Sequence, residues 1–285
     1  MIQDFLRPLI SNWAPWLQVG AVATVIASLV FLRYSAFTAV AYGVSRLIKR
    51  FAPARRLQPQ DFTGAQIRRE VFDSMLSIFT FTAVVGLIIL MTQAGWTQIY
   101  MDPCAYGWIW FWLQIPIALL IQDWYFYWMH RTIHRPEFYD RIHKRHHLST
   151  NPSPFAAFAF HPLEAILEIA IFVLIVMVLP MTPLALLSVS LFSLAYNVYG
   201  HLGYEIMPRV LAKSWIGPYL NKSAYHNQHH RTYRYNYGLY TTIWDRMHGT
   251  LHPKADPLYD KVSQGQPVDQ VIGTQPSSCP PQALR

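Results

Sequence analysis

The sequence predicts an all-α integral membrane protein: a bundle of four to five spans with a cytoplasmic, histidine-rich helical cap holding a di-metal site. Three observations lead there. Of the 285 residues, 53% are hydrophobic, 15% aromatic and only 13% charged, a balance foreign to ordinary soluble domains. Several windows reach the roughly 20 apolar residues that cross a hydrocarbon core. All twelve histidines lie beyond residue 129, and ten of them fall into a pattern.

The windows follow one another along the chain. Residues 13–32, 71–93 and 107–129 are each long and apolar enough to span, and a longer apolar stretch at 163–199 is interrupted by "LPMTP" at 179–183. Two prolines at that interruption leave segments of about 18 residues, read as a tight helical hairpin of two spans, with a pair of shallower re-entrant helices as the competing arrangement. Asp4 and Arg7 precede the first window without a positive n-region, which favours a retained span over a cleaved signal peptide. Three regions result: 1–69, an N-terminal span and basic loop; 70–252, the membrane-embedded domain that carries all the histidines; and 253–285, rich in Pro, Gln, Ser and Gly and expected to be irregular.

Charge gives the orientation. Residues 46–69 carry seven Lys/Arg, and more bases follow residues 129 and 200, whereas 94–106 has neither Lys nor Arg. The positive-inside rule puts 46–69, 130–162 and everything after about 200 on the cytoplasmic side, in a bacterial inner membrane or the endoplasmic reticulum. The net charge of +8 is then a topological and lipid-surface signal, and nucleic acid is not an expected partner. Cys104 and Cys279 fall on opposite sides, which argues against a disulfide between them.

The histidines repeat one spacing. "HRTIH" sets His130 and His134 four apart; "HKRHH" sets His143, His146 and His147 at i, i+3, i+4; "HNQHH" repeats that triplet as His226, His229 and His230. On a helix such residues share a face, close enough for imidazoles to converge on an ion. One triplet alone reads as a basic membrane-surface run; no surface role demands the same spacing twice. His161 and His201 stand at the two ends of the apolar stretch. In "HPLE" the order His161, Pro162, Glu164 is also a helix-start signature, so His161 serves as a cap, a ligand or both. His248 and His252 belong to no cluster and are read as surface or outer-sphere residues.

These three boxes in order, with "HPLE", "NVYGH" and the late "NYGLYTTIWDRMHGT", resemble the fatty acid hydroxylase superfamily over roughly residues 70–250, the sterol desaturase and C4-methyl sterol oxidase group of membrane di-iron oxygenases. The resemblance implies an O₂-dependent enzyme that hydroxylates or desaturates a membrane lipid of sterol-like or fatty-acyl kind. Carried over residue by residue, it assigns His130, His134, His143, His146, His147, His226, His229 and His230 to catalysis at two Fe ions, with His201 matching a further family histidine. Some relatives have a histidine where this chain has Asn197; either His161 or Asn197, through a water, would replace it. His248 stands where the family's late motif has an aromatic or aliphatic residue. Zinc can occupy such a site during purification.

Asp123, Tyr127, His130 and His134 lie on one helical stripe, so Asp123 is expected to accept a ligand N–H and fix its tautomer. Glu164 with Glu168 one turn on, Asn197 and Asp245 are the other outer-sphere candidates. The aromatic runs "WIWFW" and "DWYFYW" read as an interfacial belt whose tyrosines could line a substrate channel. Electrons must come from outside, because nothing in the chain resembles a nucleotide, flavin, haem or rubredoxin motif. A ferredoxin, cytochrome b5 or reductase, linked to NAD(P)H, is the expected carrier, docking on Lys144, Arg145, Arg231 and Arg234, which topology alone would explain equally well. Two rival readings remain: a histidine-rich metal transporter, which would place ionisable ligands near mid-span, and a metal-dependent lipid hydrolase, which would need a general base beside a metal-bound water.

Overall fold

The computed structural model describes residues 11, 14–266, and its regular elements are helical, with no strand among the described residues. Cys279 and most of the C-terminal tail lie outside the described residues, as do Asp4 and Arg7.

Five long helices form the bundle. Helix α1 (Pro15–Phe51) starts with proline in its first turn and ends on Lys49 and Arg50, bases suited to a helix C-terminus. The helix runs on past the expected window 13–32, and the expected loop 46–69 is helical as far as Phe51. At 37 residues this helix is about 55 Å long, well beyond a hydrocarbon core. Helix α2 (Gly64–Gln93) begins at Thr63, whose hydroxyl accepts from the Gln66 amide at 3.1 Å. Helix α3 (Gly107–Ile133) continues through Pro116 to the first histidine box.

Short helices α4 (Pro136–Ile142) and α5 (Lys144–His147) carry the second box. A 3-10 turn over Pro154–Phe158 then dips between α1, α2 and the last long helix. The hairpin follows as α6 (Pro162–Val178) and α7 (Pro183–Gly200). Both open with proline, and α7 is further capped by Thr182, which accepts from the Ala185 amide at 3.1 Å. Beyond the bundle, α8 (Arg209–Ala212) leads to α9 (Ser223–Thr232), which carries the third box, then to α10 (Ile243–Met247) and α11 (Ala255–Ser263). The last of these corrects the expectation of an irregular tail from residue 253: Leu258, Tyr259 and Val262 bury against Leu57 and Tyr225.

Among the described residues, three helices are long and apolar enough to cross a membrane, Leu17–Phe51, Gly64–Gln93 and Pro183–Gly200. Their outward faces expose Phe31, Leu32, Phe79, Leu87, Leu90 and Leu184, contiguous apolar surface that lipid, not water, would cover. Inside, Tyr34 stacks on Phe158 at 5.4 Å and Phe81 meets the same ring edge-on at 4.9 Å. The hairpin tip pairs with the connection 94–106 through the Ile99–Met181 bridge and with α3 through the Trp110 indole donating to Pro180 O at 3.0 Å. At the opposite end, Leu57 N donates to Gly203 O. The histidine-bearing ends of α3 and α7 therefore lie together, away from that tip.

Two buried carboxylate stations lock the ends in place. Asp123 accepts from Tyr240 N (2.7 Å), Thr241 N (3.2 Å), Thr241 Oγ1 (2.5 Å) and Trp244 Nε1 (3.0 Å). It does not touch a histidine, which corrects its expected role: on α3 it faces the 240–244 segment and clamps that segment to the bundle. Glu70 accepts from Gln66 Nε2, Ser149 Oγ and Ser153 Oγ, and Asp73 pairs with Arg145. Arg145 is thus engaged within the fold and is not a free docking base; Lys144 pairs with exposed Asp140 at 2.8 Å.

Replacing Asp123 by Ala should destabilise the protein by roughly 3 kcal/mol or more, since four donors, all on the short segment 240–244, lose their acceptor. Thermal unfolding in detergent checks this, and a midpoint equal to that of the wild type would contradict it.

Candidate metal centre

Eight histidines from the three boxes, together with His201, arrive from four directions. His130 and His134 close α3; His143 sits between α4 and α5, with His146 and His147 on α5; His201 caps α7; His226, His229 and His230 lie on α9. Nine of the ten candidate ligands converge into two groups. His130, His134, His143, His147 and His229 form one, and His146, His201, His226 and His230 the other, each with its ligand atoms within 4.8 Å of one another.

Each H-x-x-H-H triplet is divided in the same way. Its i, i+4 pair goes to one group and its i+3 member to the other: His143 and His147 against His146, and His226 and His230 against His229. Residues three and four ahead are about 100° apart around a helix, so one turn can face two ions at once. The two triplets make opposite contributions, which explains why one spacing occurs twice.

Within the first group the Nε2 atoms of His130 and His143 are 3.1 Å apart, of His143 and His147 3.0 Å, of His134 and His147 3.2 Å and of His134 and His229 3.1 Å. In the second, His201 lies 3.4 Å from His146 and 3.1 Å from His226, and His226 lies 3.1 Å from His230. Nitrogens bound at about 2.0–2.1 Å to one ion stand about 2.9–3.4 Å apart. The spacing fits.

Tautomers decide what these contacts are. His201 Nδ1 donates to Asn197 O at 2.8 Å and His146 Nδ1 to Ala159 O at 3.3 Å; His130 Nδ1 donates to Tyr237 O at 2.9 Å and His229 Nδ1 to Tyr235 O at 2.6 Å. A carbonyl only accepts, so in each neutral ring the proton is on Nδ1 and Nε2 presents a lone pair. The His146–His201 contact is then lone pair against lone pair. No hydrogen bond can form there, and a cation between the two nitrogens makes the arrangement favourable.

The rings are also held neutral. Burial, followed by the neighbouring imidazoles, pushes His134, His143, His147, His226 and His230 well below the ordinary histidine value. The same causes, opposed by a backbone acceptor, lower His146 and His229, and burial takes His201 down to about 4. Neutral imidazole is the form a metal binds.

The outer sphere is mostly backbone. Glu164 is the side-chain contribution, its Oε1 lying 2.6 Å from His143 Nδ1 with both groups buried. Asn197 orients His201 through its carbonyl, while its side-chain amide donates to Ala157 O at 2.8 Å. Asp245 acts one step away: it accepts from Tyr237 N (2.9 Å), Gly238 N (2.8 Å) and Thr250 Oγ1 (2.7 Å), fixing the loop whose Tyr235 and Tyr237 carbonyls hold two ligands. That loop needs Asn236 at φ 60, and it needs Gly238, where a Cβ would lie 2.2 Å from Thr241 O. Here the late "NYGLYTTIWDRMHGT" stretch has its purpose.

His161 is in neither group; its Nδ1 accepts from Leu163 N at 3.3 Å as the cap of α6. His248 is exposed against the rings of Tyr127 and Trp128, and His252 Nδ1 accepts from Gln228 Nε2 at 2.9 Å. Sequence reasoning passed over Glu70 and Asp73, which fix the segment after the second box. The signal was available: Glu70, Asp73, Ser74 and Ser77 form a polar face at helical spacing on an otherwise apolar helix.

Glu164→Gln should weaken metal affinity by roughly 10- to 100-fold while leaving the helices intact, the usual effect of losing a carboxylate behind a ligating imidazole. Competition against a chelator of known affinity measures it, and unchanged retention would contradict the assignment.

The Fatty acid hydroxylase family matches residues 115–250, the stretch that contains every histidine in both groups. Lathosterol oxidase of Mus musculus is 31% identical over 197 residues, 68% of this chain and 64% of that protein. The Homo sapiens lathosterol oxidase is 30% identical over 70% of this chain and 66% of its own length. Delta(7)-sterol 5(6)-desaturase erg3B of Aspergillus fumigatus is 28% identical over 75% of this chain and 62% of its own length. The chain thus spans a little under two thirds of these relatives, and no solved structure matches it significantly. Three histidine boxes in register, gathered into two groups and accompanied by these relatives, make the chain a member of the fatty acid hydroxylase superfamily.

Proposed function

We propose that the protein is an O₂-dependent oxidoreductase that hydroxylates or desaturates a membrane lipid, sterol-like or fatty-acyl, at two iron ions held by the nine converging histidines. The observation that carries this reading is the cavity that reaches both histidine groups. It is lined by His130, His143, His146, His201 and His226 on one side and by Phe126, Phe160 and Tyr196 on another, so it joins a ligand cluster to the apolar interior of the bundle. The relatives' printed names, sterol oxidase and sterol desaturase, agree with it.

When bound, the two ions supply the redox chemistry with O₂ that breaks an unactivated C–H bond, chemistry beyond the reach of side chains alone. The chain's own contribution is to position and shield. His130, His146, His201 and His229 are presented in one tautomer by four carbonyls, and Glu164 directs His143. Phe126 and Phe160 narrow the cavity and keep water from the target carbon.

In this reading α1, α2, α3, α6 and α7 are five spans, with the histidine cap on the cytoplasmic face beside the basic ends of α1 and α3. The substrate enters from the bilayer. Electrons arrive from a separate NAD(P)H-linked carrier, ferredoxin, cytochrome b5 or reductase, docking near Lys144, Arg231 and Arg234; Arg145 is withdrawn from that surface by Asp73.

The purified protein should retain close to two ions per chain on dilution, where a transporter's ion would exchange freely. His146→Ala, which removes one ligand from the second group, should abolish O₂ consumption and product formation while the protein remains folded in the membrane. Lipid mass spectrometry of cells with and without the protein should show a gain of one oxygen or a loss of two hydrogens. Full turnover by the His146 variant would refute the site.

A further inference from the structure

A second cavity lies deeper in the bundle and shares Phe126, Phe160, Glu168, Asn197 and Leu239 with the one at the histidines. Its remaining walls include Phe81, Val85, Phe158 and Phe172, and at its far end Arg33 and Ser190. Arg33 lies within the first candidate span, on α1. Its guanidinium turns inward, not along the helix to the membrane surface: Nη1 donates to Ser190 Oγ at 2.6 Å on α7. Among the described residues it makes no ion pair, and its Nε is buried without a hydrogen-bond partner. Glu168, the other ionisable group on this wall, reaches both cavities and forms no ion pair with Arg33.

A guanidinium inside a membrane bundle is costly unless an acceptor answers it, and a planar fork of five donors suits a carboxylate or a phosphate. One neutral hydroxyl leaves most of that capacity unused. We propose that Arg33, supported by Ser190, binds the anionic oxygen head of an amphiphilic substrate whose hydrocarbon runs along the joined cavities to the histidine cap. This deepens the proposed lipid oxidation and rests on it for the identity of the cap.

The fold supplies a ruler. Ser190 and His201 belong to one straight helix and its cap, three turns apart, which is about 16 Å of rise. The oxidised carbon therefore lies far down the chain from the head, at a distance that excludes short soluble acids. Arg33 also lies outside residues 115–250, where the Fatty acid hydroxylase family matches. Head-group choice would then be supplied by an added helix, separate from the shared oxidising core.

The test uses the metal-loaded protein in nanodiscs and three chain-matched probes, a long-chain carboxylate, the corresponding phosphate monoester and the primary alcohol, the binding of each measured directly by calorimetry. The wild type should hold at least one anionic probe about tenfold or more tighter than the alcohol, and which one identifies the head. Arg33→Gln should erase that preference and leave alcohol binding unchanged. Equal binding of all three by the wild type, or an equal loss of all three in the variant, would overturn the proposal. Should Arg33→Gln fail to fold, Ser190→Asp sets a carboxylate beside Nη1; it should preserve the fold and remove the anionic preference, and a retained preference would overturn the idea. Anionic preference without oxidation of any probe would sink the oxygenase reading while leaving the role of Arg33 standing.

Discussion

Nitrogen lone pairs that face one another across about 3 Å impose the condition that the rest of this molecule meets. Neutral imidazoles avoid such contacts unless a cation stands between them, and here backbone carbonyls have already fixed the proton on the far nitrogen of four rings. The interior around them is dry, which strengthens both the repulsion without a cation and the attraction with one. Holding nine rings this close together takes a scaffold that cannot relax them apart. A membrane bundle whose helix ends are tied together supplies it.

The ties are polar and buried. Asp123 gathers four donors from residues 240–244, Asp245 gathers three from 237–250, and Glu70 gathers the segment from Ser149 to Ser153. None of these carboxylates touches a histidine. Each fixes a stretch of backbone, and the backbone in turn fixes the rings. The residues that read from the sequence as ligand partners are thus one covalent step further out, and the carbonyls of Tyr235, Tyr237, Ala159 and Asn197 stand between. Glu164 is the exception, in direct contact with His143.

Division of each triplet between two groups makes the centre compact. A helix turn that offers its i, i+4 pair to one ion and its i+3 residue to the other brings the two groups close, with the rings of His147 and His230 4.7 Å apart. It also makes the second and third boxes interdependent, because each completes the group that the other dominates. On the lipid side, the same convergence opens into a cavity walled by aromatic rings from α2, α3 and α6, so the apolar interior and the polar cap meet at the histidines.

The sequence by itself determined the class of protein, the helical hairpin around "LPMTP", and which box histidines converge, because hydropathy and the i, i+3, i+4 spacing are local properties that survive in a linear string. It misjudged where α1 ends, since a long helix leaving a membrane loses its apolar signal before its hydrogen bonds. It also missed the helix at Ala255–Ser263, which is held by burial against Leu57 and Tyr225 more than by its own propensity. Only the tertiary structure decided which histidine joins which group, that His161 caps a helix instead of joining them, and that Asp123 and Arg145 serve the scaffold. Those choices depend on contacts between residues up to about 120 positions apart, and no periodicity in the chain records which distant partner a side chain will meet.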